Sequence, residues 1–349
     1  METYRLPMVP GPVRVPAEVL AARSRDYPSP DQEGAFFSLY ERVQSSLGRI
    51  MDTAHPPAIM LGEAMVVLWG AMKSCLVPGD RVLAVSTGLF GEGFADMARH
   101  LGAEVRLLAL GDDEAADPDR VASEVRSFRP RMVTAVHCET PSGTLNPVAE
   151  IGAMLDRDVV ELYVVDAVAS IGGVPLSTDG AGIDLCLLGS QKCLAAPPDL
   201  GIVAVSPRAW AAVERATYAG YDALGPFRNA VAKGLFPYTH SWHALAGLEV
   251  ACQLLLDEGL ERAQARHRDA AALCRRRGRE IGLELFPRDE RVSSPTVTAF
   301  KVPDQIAWET LKVRCRERGL VVGRNYGRLA GKVFRVGHMG TQADEALVT

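Results

Sequence analysis

The chain has 349 residues with 38 basic and 43 acidic side chains, a formal net charge of −5, and 48% of its residues are hydrophobic. This composition is typical of a globular protein and excludes intrinsic disorder, and the length suggests about two domains. A slightly acidic chain without a block of Lys or Arg argues against nucleic acid or an anionic membrane surface as a partner.

Seven cysteines are scattered along the chain without a CxxC pair. This pattern is typical of a reduced protein with neither a disulfide framework nor a zinc site. No apolar run reaches the ~18 residues that a membrane span needs, and the first fourteen residues lack the order of a secretory signal. We therefore expect a cytoplasmic α/β protein without a bound metal.

Short apolar runs alternate with amphipathic segments between about residues 57 and 206. The apolar runs predict strands at residues 81–85, 105–110, 132–137, 162–166, 185–188 and 201–206. The amphipathic segments predict helices at residues 93–101, 117–128 and 147–156. Asp117-Pro118 and Asn146-Pro147 are helix start signals. Strands that are apolar throughout and alternate with helices indicate a mostly parallel sheet that is covered on both faces.

The pattern changes after about residue 240, where two long helical segments, the second strongly charged, replace the short strands. Helices are predicted at residues 244–258, 261–281 and 308–318, and strands near residues 296–301 and 333–337. We therefore expect three parts, namely an N-terminal arm (1–20), a large α/β domain (21–245), and a long helix with a small α+β domain (246–349).

Several strand-like runs end in polar residues, and ligands of open α/β sheets lie beyond the carboxyl ends of strands. Asp166 ends one run, and Lys192 follows the next. A partly desolvated lysine can form a Schiff base with an aldehyde, and a buried aspartate can keep a pyridine nitrogen protonated. Each signal is weak by itself, because a strand-end Asp is commonly a helix cap and a loop Lys is commonly a solvated charge.

Two longer stretches carry a resemblance to a known family. Residues 164–173 (VVDAVASIGG) and 189–198 (GSQKCLAAPP) resemble class V aminotransferases of the alanine–glyoxylate and serine–pyruvate group, which are pyridoxal-phosphate enzymes of fold type I. The resemblance runs from residues 10–16 through 138–143 to 331–340. It implies a seven-stranded, mostly parallel sheet, a small C-terminal α+β domain, and a homodimer or higher homo-oligomer.

The resemblance also implies roles for single residues. Lys192 would form the Schiff base and move the proton, Asp166 would bind the ring nitrogen, and Val168 would pack on the ring. Phe90 would stack on the other face of the ring, and Thr140 would bind the ring hydroxyl.

Three further positions are carried over by resemblance. Gln191 would help to hold the cofactor. Arg335 would bind the substrate carboxylate through a bidentate fork. Tyr326 stands where the most similar members place a second carboxylate-binding arginine, and Arg324 and Arg328 flank it. The acceptor acid therefore stays open.

The phosphate site departs from the family pattern. Relatives hold the phosphate with hydroxyl residues in a turn that opens a helix, whereas this chain has Gly62-Glu63. Phe236 replaces a tyrosine that the neighbouring subunit supplies, and Thr239 keeps the second hydroxyl. A carboxylate that faces the pocket would repel a phosphate. The alternative is that Glu63 stabilises the helix dipole and points to water.

Residues 61–63, 139–147, 192–194 and 335–340 resemble the pyridoxamine–pyruvate aminotransferases of this family, which use free pyridoxamine as a substrate. The resemblance implies transfer of an amino group from pyridoxamine to pyruvate, with Glu63 at the place of the phosphate and no bound pyridoxal phosphate. Two alternatives stay open. One is a pyridoxal-phosphate-dependent alanine or serine aminotransferase that acts with glyoxylate or pyruvate, and the other is a non-catalytic vitamin B6-binding protein.

Overall fold

A computed structural model describes residues 4–349. The strands are β1 (Leu6–Met8), β2 (Ala58–Leu61), β3 (Arg81–Ser86), β4 (Glu104–Ala109), β5 (Met132–Val136), β6 (Cys138–Glu139), β7 (Thr144–Leu145), β8 (Leu162–Asp166), β9 (Leu185–Gly189), β10 (Leu200–Val205), β11 (Val297–Lys301), β12 (Leu320–Val322) and β13 (Val333–Gly337). The α-helices are α1 (Ala17–Arg23), α2 (Gly34–Met51), α3 (Ala64–Cys75), α4 (Leu89–His100), α5 (Pro118–Phe128), α6 (Val148–Met154), α7 (Pro207–Ala216), α8 (Ala230–Lys233), α9 (Trp242–Glu258), α10 (Leu260–Glu280), α11 (Trp308–Glu317) and α12 (Glu345–Val348).

Seven strands form one sheet in the order β2-β10-β9-β8-β5-β3-β4. The neighbours from β9 to β4 run parallel, and β10 runs antiparallel to both β2 and β9. This confirms the predicted mostly parallel sheet. Because β2 points the same way as β9, the carboxyl ends of β2, β9, β8, β5 and β3 lie at one edge of the sheet.

The sheet is the centre of the apolar core. Every residue of β5, β8, β9 and β10 is buried, as expected for strands that helices cover on both faces. The sequence did not predict β2, α2 or α3. The helix α3 lacks a clear 3.6-residue period because it carries exposed apolar residues, Met65 and Val66, beside its buried ones.

One of the two predicted helix start signals acts differently from the expectation. Asp117 caps α5, with its side chain accepting the Asp119 amide at 3.0 Å. Asn146 does not cap a helix, since its side-chain amide nitrogen donates to the Val136 carbonyl at 2.8 Å and to Thr87 Oγ1 at 2.9 Å. Asn146 is buried, so these long-range bonds replace the local cap.

The N-terminal arm is part of the C-terminal structure. Strand β1 runs parallel to β12, and β11 pairs antiparallel with β13. Gly323, which follows β12, forms a bridge with Arg335 on β13. This pairing leads Pro10 and Gly11 from the small sheets to the edge of the large sheet.

The predicted boundaries between the three parts fall inside helices, the first within α1 and the second within α9. The division at residues 20 and 245 stays a prediction. Within residues 4–349, no helix is long and apolar enough to cross a membrane.

Candidate active site

Lys192 lies in the turn that follows β9. Ser190 closes this turn by donating its hydroxyl to the Pro197 carbonyl at 2.5 Å. Lys192 Nζ donates to the Pro10 carbonyl of the N-terminal arm at 2.6 Å. Burial, followed by the positive charge of Arg335, lowers the pKa of the Lys192 amine. A lowered pKa favours the neutral amine, which is the form that attacks an aldehyde.

Gly11 provides the space that this lysine occupies. It has a positive φ of 78°, and a Cβ atom there would lie 2.5 Å from Lys192 Cδ and 2.9 Å from Nζ. A larger residue at position 11 would therefore displace the amine as well as strain the backbone.

Asp166 ends β8, the neighbour of β9 in the sheet. Its side chain is buried, and Oδ1 accepts the Val168 amide at 2.9 Å. Burial raises the pKa of Asp166 to about 6, the Val168 amide and Lys192 oppose this rise, and Glu63 adds to it. Asp166 is therefore within electrostatic reach of Lys192 and Glu63, and it is ionised above about pH 6.

Glu63 follows β2 and faces two partners. Oε2 accepts the Met65 amide at 2.8 Å, so that Glu63 is the N-cap of α3. Oε1 accepts the side-chain amide of Gln191, the residue before Lys192, at 2.5 Å. The Glu63 carboxylate therefore caps α3 with one oxygen and faces Gln191, beside Lys192, with the other. The two roles considered for Glu63 are compatible. The turn depends on Gly62, whose φ is +131°.

Gln191 is left with an unused acceptor. Its side-chain nitrogen Nε2 donates to Glu63, and its side-chain oxygen Oε1 is buried without a hydrogen-bond partner among residues 4–349. Burying an unpaired polar atom costs free energy, so such an oxygen is commonly paired with a ligand or a water molecule.

Phe90 lies in the first turn of α4, beyond β3. Glu139 fixes this turn, because its carboxylate accepts the Phe90 amide at 3.0 Å and the Gly91 amide at 3.2 Å. Glu139 is completely buried, and burial raises its pKa to about 7. Glu139 has no role among the residues predicted from the sequence. The sequence feature that could have indicated a role for Glu139 is its place in a polar cluster that follows a buried strand.

Arg335 lies on β13 and is only 4% exposed. Its Nε donates to the Arg324 carbonyl at 3.0 Å, and its guanidinium carbon lies 5.0 Å from the centre of the Tyr326 ring. The Arg324 guanidinium lies 5.7 Å from the same ring centre. Tyr326 and Arg324 therefore both flank the predicted carboxylate-binding arginine.

Arg328 is directed away from this group. It donates to Glu92 at 2.8 Å and to Asp112 at 2.5 Å, on the surface beside α4. Of the two arginines that flank Tyr326, Arg324 is therefore the one beside Arg335.

A cavity of about 360 Å³ joins Lys192 to Arg335. Its lining combines the N-terminal arm, residues that follow β3, β6 and β9, helix α11, strands β12 and β13, and the loop after β12. The lining residues are Val9, Pro10, Gly11, Pro12, Phe90, Thr140, Lys192, Trp308, Lys312, Arg316, Val321, Val322, Gly323, Arg324, Tyr326 and Arg335.

Thr239 does not line this cavity. Its hydroxyl donates to Asp31 of the same chain at 3.1 Å. Phe236, in the same segment, is buried among aromatic rings of its own chain that include Phe36 and Tyr40. That residues 236–241 act at the site of a neighbouring subunit stays a prediction.

The residues at this edge have the chemistry to hold a vitamin B6 ring. Asp166 could face a ring nitrogen, Lys192 offers an amine nucleophile for an aldehyde, and Phe90 offers an aromatic face. The Glu63 carboxylate and the Gln191 side-chain oxygen Oε1 can act only as hydrogen-bond acceptors. A hydroxymethyl group can donate to such acceptors, whereas a phosphate dianion would meet a like charge.

The chain matches the family described as "Aminotransferase class-V" over residues 62–336. It is 35% identical over 339 residues to the pyridoxamine–pyruvate transaminase of Mesorhizobium japonicum, which covers 95% of this chain and 86% of the relative. It is also 31% identical over 351 residues to the serine–glyoxylate aminotransferase of Arabidopsis thaliana, which covers 95% of this chain and 84% of the relative.

A similar solved structure is that of pyridoxamine–pyruvate aminotransferase from Mesorhizobium loti. It superposes with a TM-score of 0.95 at 32% identity and covers 99% of this chain and 90% of that chain. The fold, the family match and the predicted sequence resemblance therefore agree, and the chain belongs to the class V aminotransferases of the alanine–glyoxylate and serine–pyruvate group.

Proposed function

We propose that this aminotransferase transfers an amino group from pyridoxamine to a small 2-oxo acid in the cytoplasm, with pyruvate as the first acceptor to test. The products would be pyridoxal and alanine. The observation that carries the proposal is the Glu63–Gln191 hydrogen bond, which turns a carboxylate toward the residue beside Lys192. The Mesorhizobium japonicum relative, named for this reaction, supports it.

The vitamin B6 ring, when bound, supplies an electron sink for the electron pair that proton removal releases. Lys192 Nζ would take that proton and return it to the carbon that receives the amino group, as its lowered pKa favours. Asp166 would keep the ring nitrogen protonated through its carboxylate. Phe90 would hold one face of the ring, with Glu139 fixing its backbone, and Val168 would hold the other.

A second candidate is an aminotransferase that retains pyridoxal phosphate and acts on alanine or serine with glyoxylate. The Arabidopsis relative, named for serine and glyoxylate, supports it. A visible spectrum of the purified protein separates the two. The first proposal predicts no bound phosphate ring and a new absorption band on adding pyridoxal, whereas a phosphate ring that copurifies tightly would favour the second.

Arg335→Lys is expected to lower kcat/KM for the 2-oxo acid by about 100-fold, mainly through KM, because lysine lacks the planar fork that binds a carboxylate. Initial rates at varied acid concentration measure this loss. Arg328→Lys is the matched control, since Arg328 is bound to Glu92 and Asp112 away from the cavity. A change below twofold in Arg335→Lys would remove Arg335 from the substrate site.

We also infer at least a homodimer. Val66 is 51% exposed at the start of α3, next to Glu63, and Leu235 is 68% exposed beside the predicted interface segment 236–241. The family resemblance implies an interface at the segment 236–241, and we infer that these two exposed apolar side chains are covered there by the neighbouring subunit. Thr239 would then serve the neighbouring site.

Leu235→Glu is expected to shift the protein toward monomers and to lower transfer activity, because a charge would be buried at the interface. Sedimentation equilibrium measures the mass. Ile281→Glu is the control, since Ile281 is 77% exposed directly after the C-terminus of α10 and lies outside the predicted interface segment. A monomeric wild-type protein with full activity would contradict the inference.

A further inference from the structure

Two of the arginines that line the cavity, Arg316 and Arg324, are exposed, and we call this part of the cavity its mouth. Arg335 and Lys312 line the cavity as well, and none of the lining residues within 4–349 is acidic. The whole chain, by contrast, has a net charge of −5. The positive charge is therefore concentrated at the cavity, where it attracts anions.

The two mouth arginines have no carboxylate partner in the part of the chain that the structure describes. The Arg316 guanidinium lies 5.5 Å from the centre of the Tyr4 ring, and the Arg324 guanidinium contacts Tyr326. Lys312 differs, because its amine is paired with Glu309 at 2.7 Å. Among residues 4–349, no carboxylate therefore neutralises Arg316 or Arg324.

A monocarboxylic acid such as pyruvate uses only part of this surface. Its carboxylate would bind Arg335, which is the cation buried in the cavity. Arg316 and Arg324 line the same cavity with exposed side chains, whereas Arg335 is buried. A longer acid could reach them with a second carboxylate.

We propose that the preferred amino acceptor is a 2-oxo dicarboxylic acid, whose distal carboxylate binds Arg316 and Arg324. This inference rests on the proposed function and specifies which class of 2-oxo acid accepts the amino group. The C–N bond of pyridoxamine breaks and a C–N bond forms at C2 of the acid. The pyridoxamine carbon is oxidised to the aldehyde, and the oxo carbon of the acid is reduced. The carbonyl oxygen of the acid leaves as water, and a water molecule supplies the aldehyde oxygen of pyridoxal. The distal carboxylate is unchanged.

The test compares pyruvate, oxaloacetate and 2-oxoglutarate as acceptors for pyridoxamine with the full-length enzyme. At least one dicarboxylic acid is expected to exceed pyruvate in kcat/KM by about tenfold, a typical gain for a charge-assisted contact. Arg316→Gln should lower the value for that acid by about tenfold and the value for pyruvate by less than about threefold. Arg324→Gln should show the same selectivity.

Arg314→Gln is the matched control, because Arg314 is on the same helix and does not line the cavity. Equal losses for all three acids, abolished by high salt, would mean long-range steering only and would overturn the inference. A preference for pyruvate would overturn it too.

Failure of transfer from pyridoxamine with every acid would count against the proposed function instead. Calorimetry then still decides the inference. At least one of oxaloacetate and 2-oxoglutarate should bind the protein more tightly than pyruvate, and Arg316→Gln should remove the difference. Equal binding of all three acids would reject the distal site.

Discussion

Lys192→Ala is expected to lower amino transfer by at least about 10⁴-fold, because it removes both the nucleophile and the group that moves the proton. Binding of pyridoxal should stay measurable, since Asp166 and Phe90 belong to other strand ends. Single-turnover rates and fluorescence titration with pyridoxal measure the two effects. Methylamine should restore part of the rate, which a purely structural defect would not allow.

Lys301→Ala is a suitable control, because Lys301 is an exposed lysine of β11 that pairs with Glu284. Circular dichroism checks that both variants are folded. If Lys192→Ala retained more than about a tenth of the activity, another group would have to carry the proton, and the assignment of Lys192 would be wrong.

Glu63→Gly is expected to shift ring preference toward pyridoxal phosphate. A like-charge pair at about 4 Å costs on the order of 4 kcal/mol at an effective dielectric near 20, which is roughly three decades of affinity. Because Glu63 is partly exposed, we expect a gain of about 100-fold in the affinity for pyridoxal phosphate relative to pyridoxal. Competitive titration with the two rings measures the ratio.

Glu63→Gln separates charge from capping. The amide side chain keeps an oxygen that can accept the Met65 amide, so α3 stays capped, while the negative charge is lost. Most of the gain should therefore appear in Glu63→Gln too. An unchanged ratio in both variants would show that the Glu63 charge does not act on the ring's phosphate position.

The sheet could be predicted because its central strands are apolar throughout and alternate with helices. The strand order could not, and neither could α2, which begins at Gly34 without a side-chain cap. Asn146 shows a related limit. Its sequence neighbourhood is that of a helix cap, but its side chain bonds instead to Thr87, 59 positions away.

The pattern of apolar strands and helices also predicted that Asp166 and Lys192 lie together. Asp166 and Lys192 follow adjacent parallel strands, so they lie at one edge. The contacts that hold the site could not be predicted, because they join distant segments. Glu139 and Phe90 are 49 positions apart, and Lys192 and Pro10 are 182 apart.

Glu63 illustrates why local patterns leave alternatives. A glutamate at a helix start is normally explained by capping alone, and that explanation is correct here. The second contact, to Gln191, depends on β2 lying two strands from β9, which only the sheet order reveals.

Reductive labelling tests the central claim most directly. The purified enzyme is treated with pyridoxal and borohydride, digested, and analysed by mass spectrometry for the modified lysine. We predict that the label lies on Lys192, that Lys192→Ala abolishes it, and that pyridoxal phosphate labels less efficiently at the same concentration. A label on another lysine, or none at residue 192, would contradict the account.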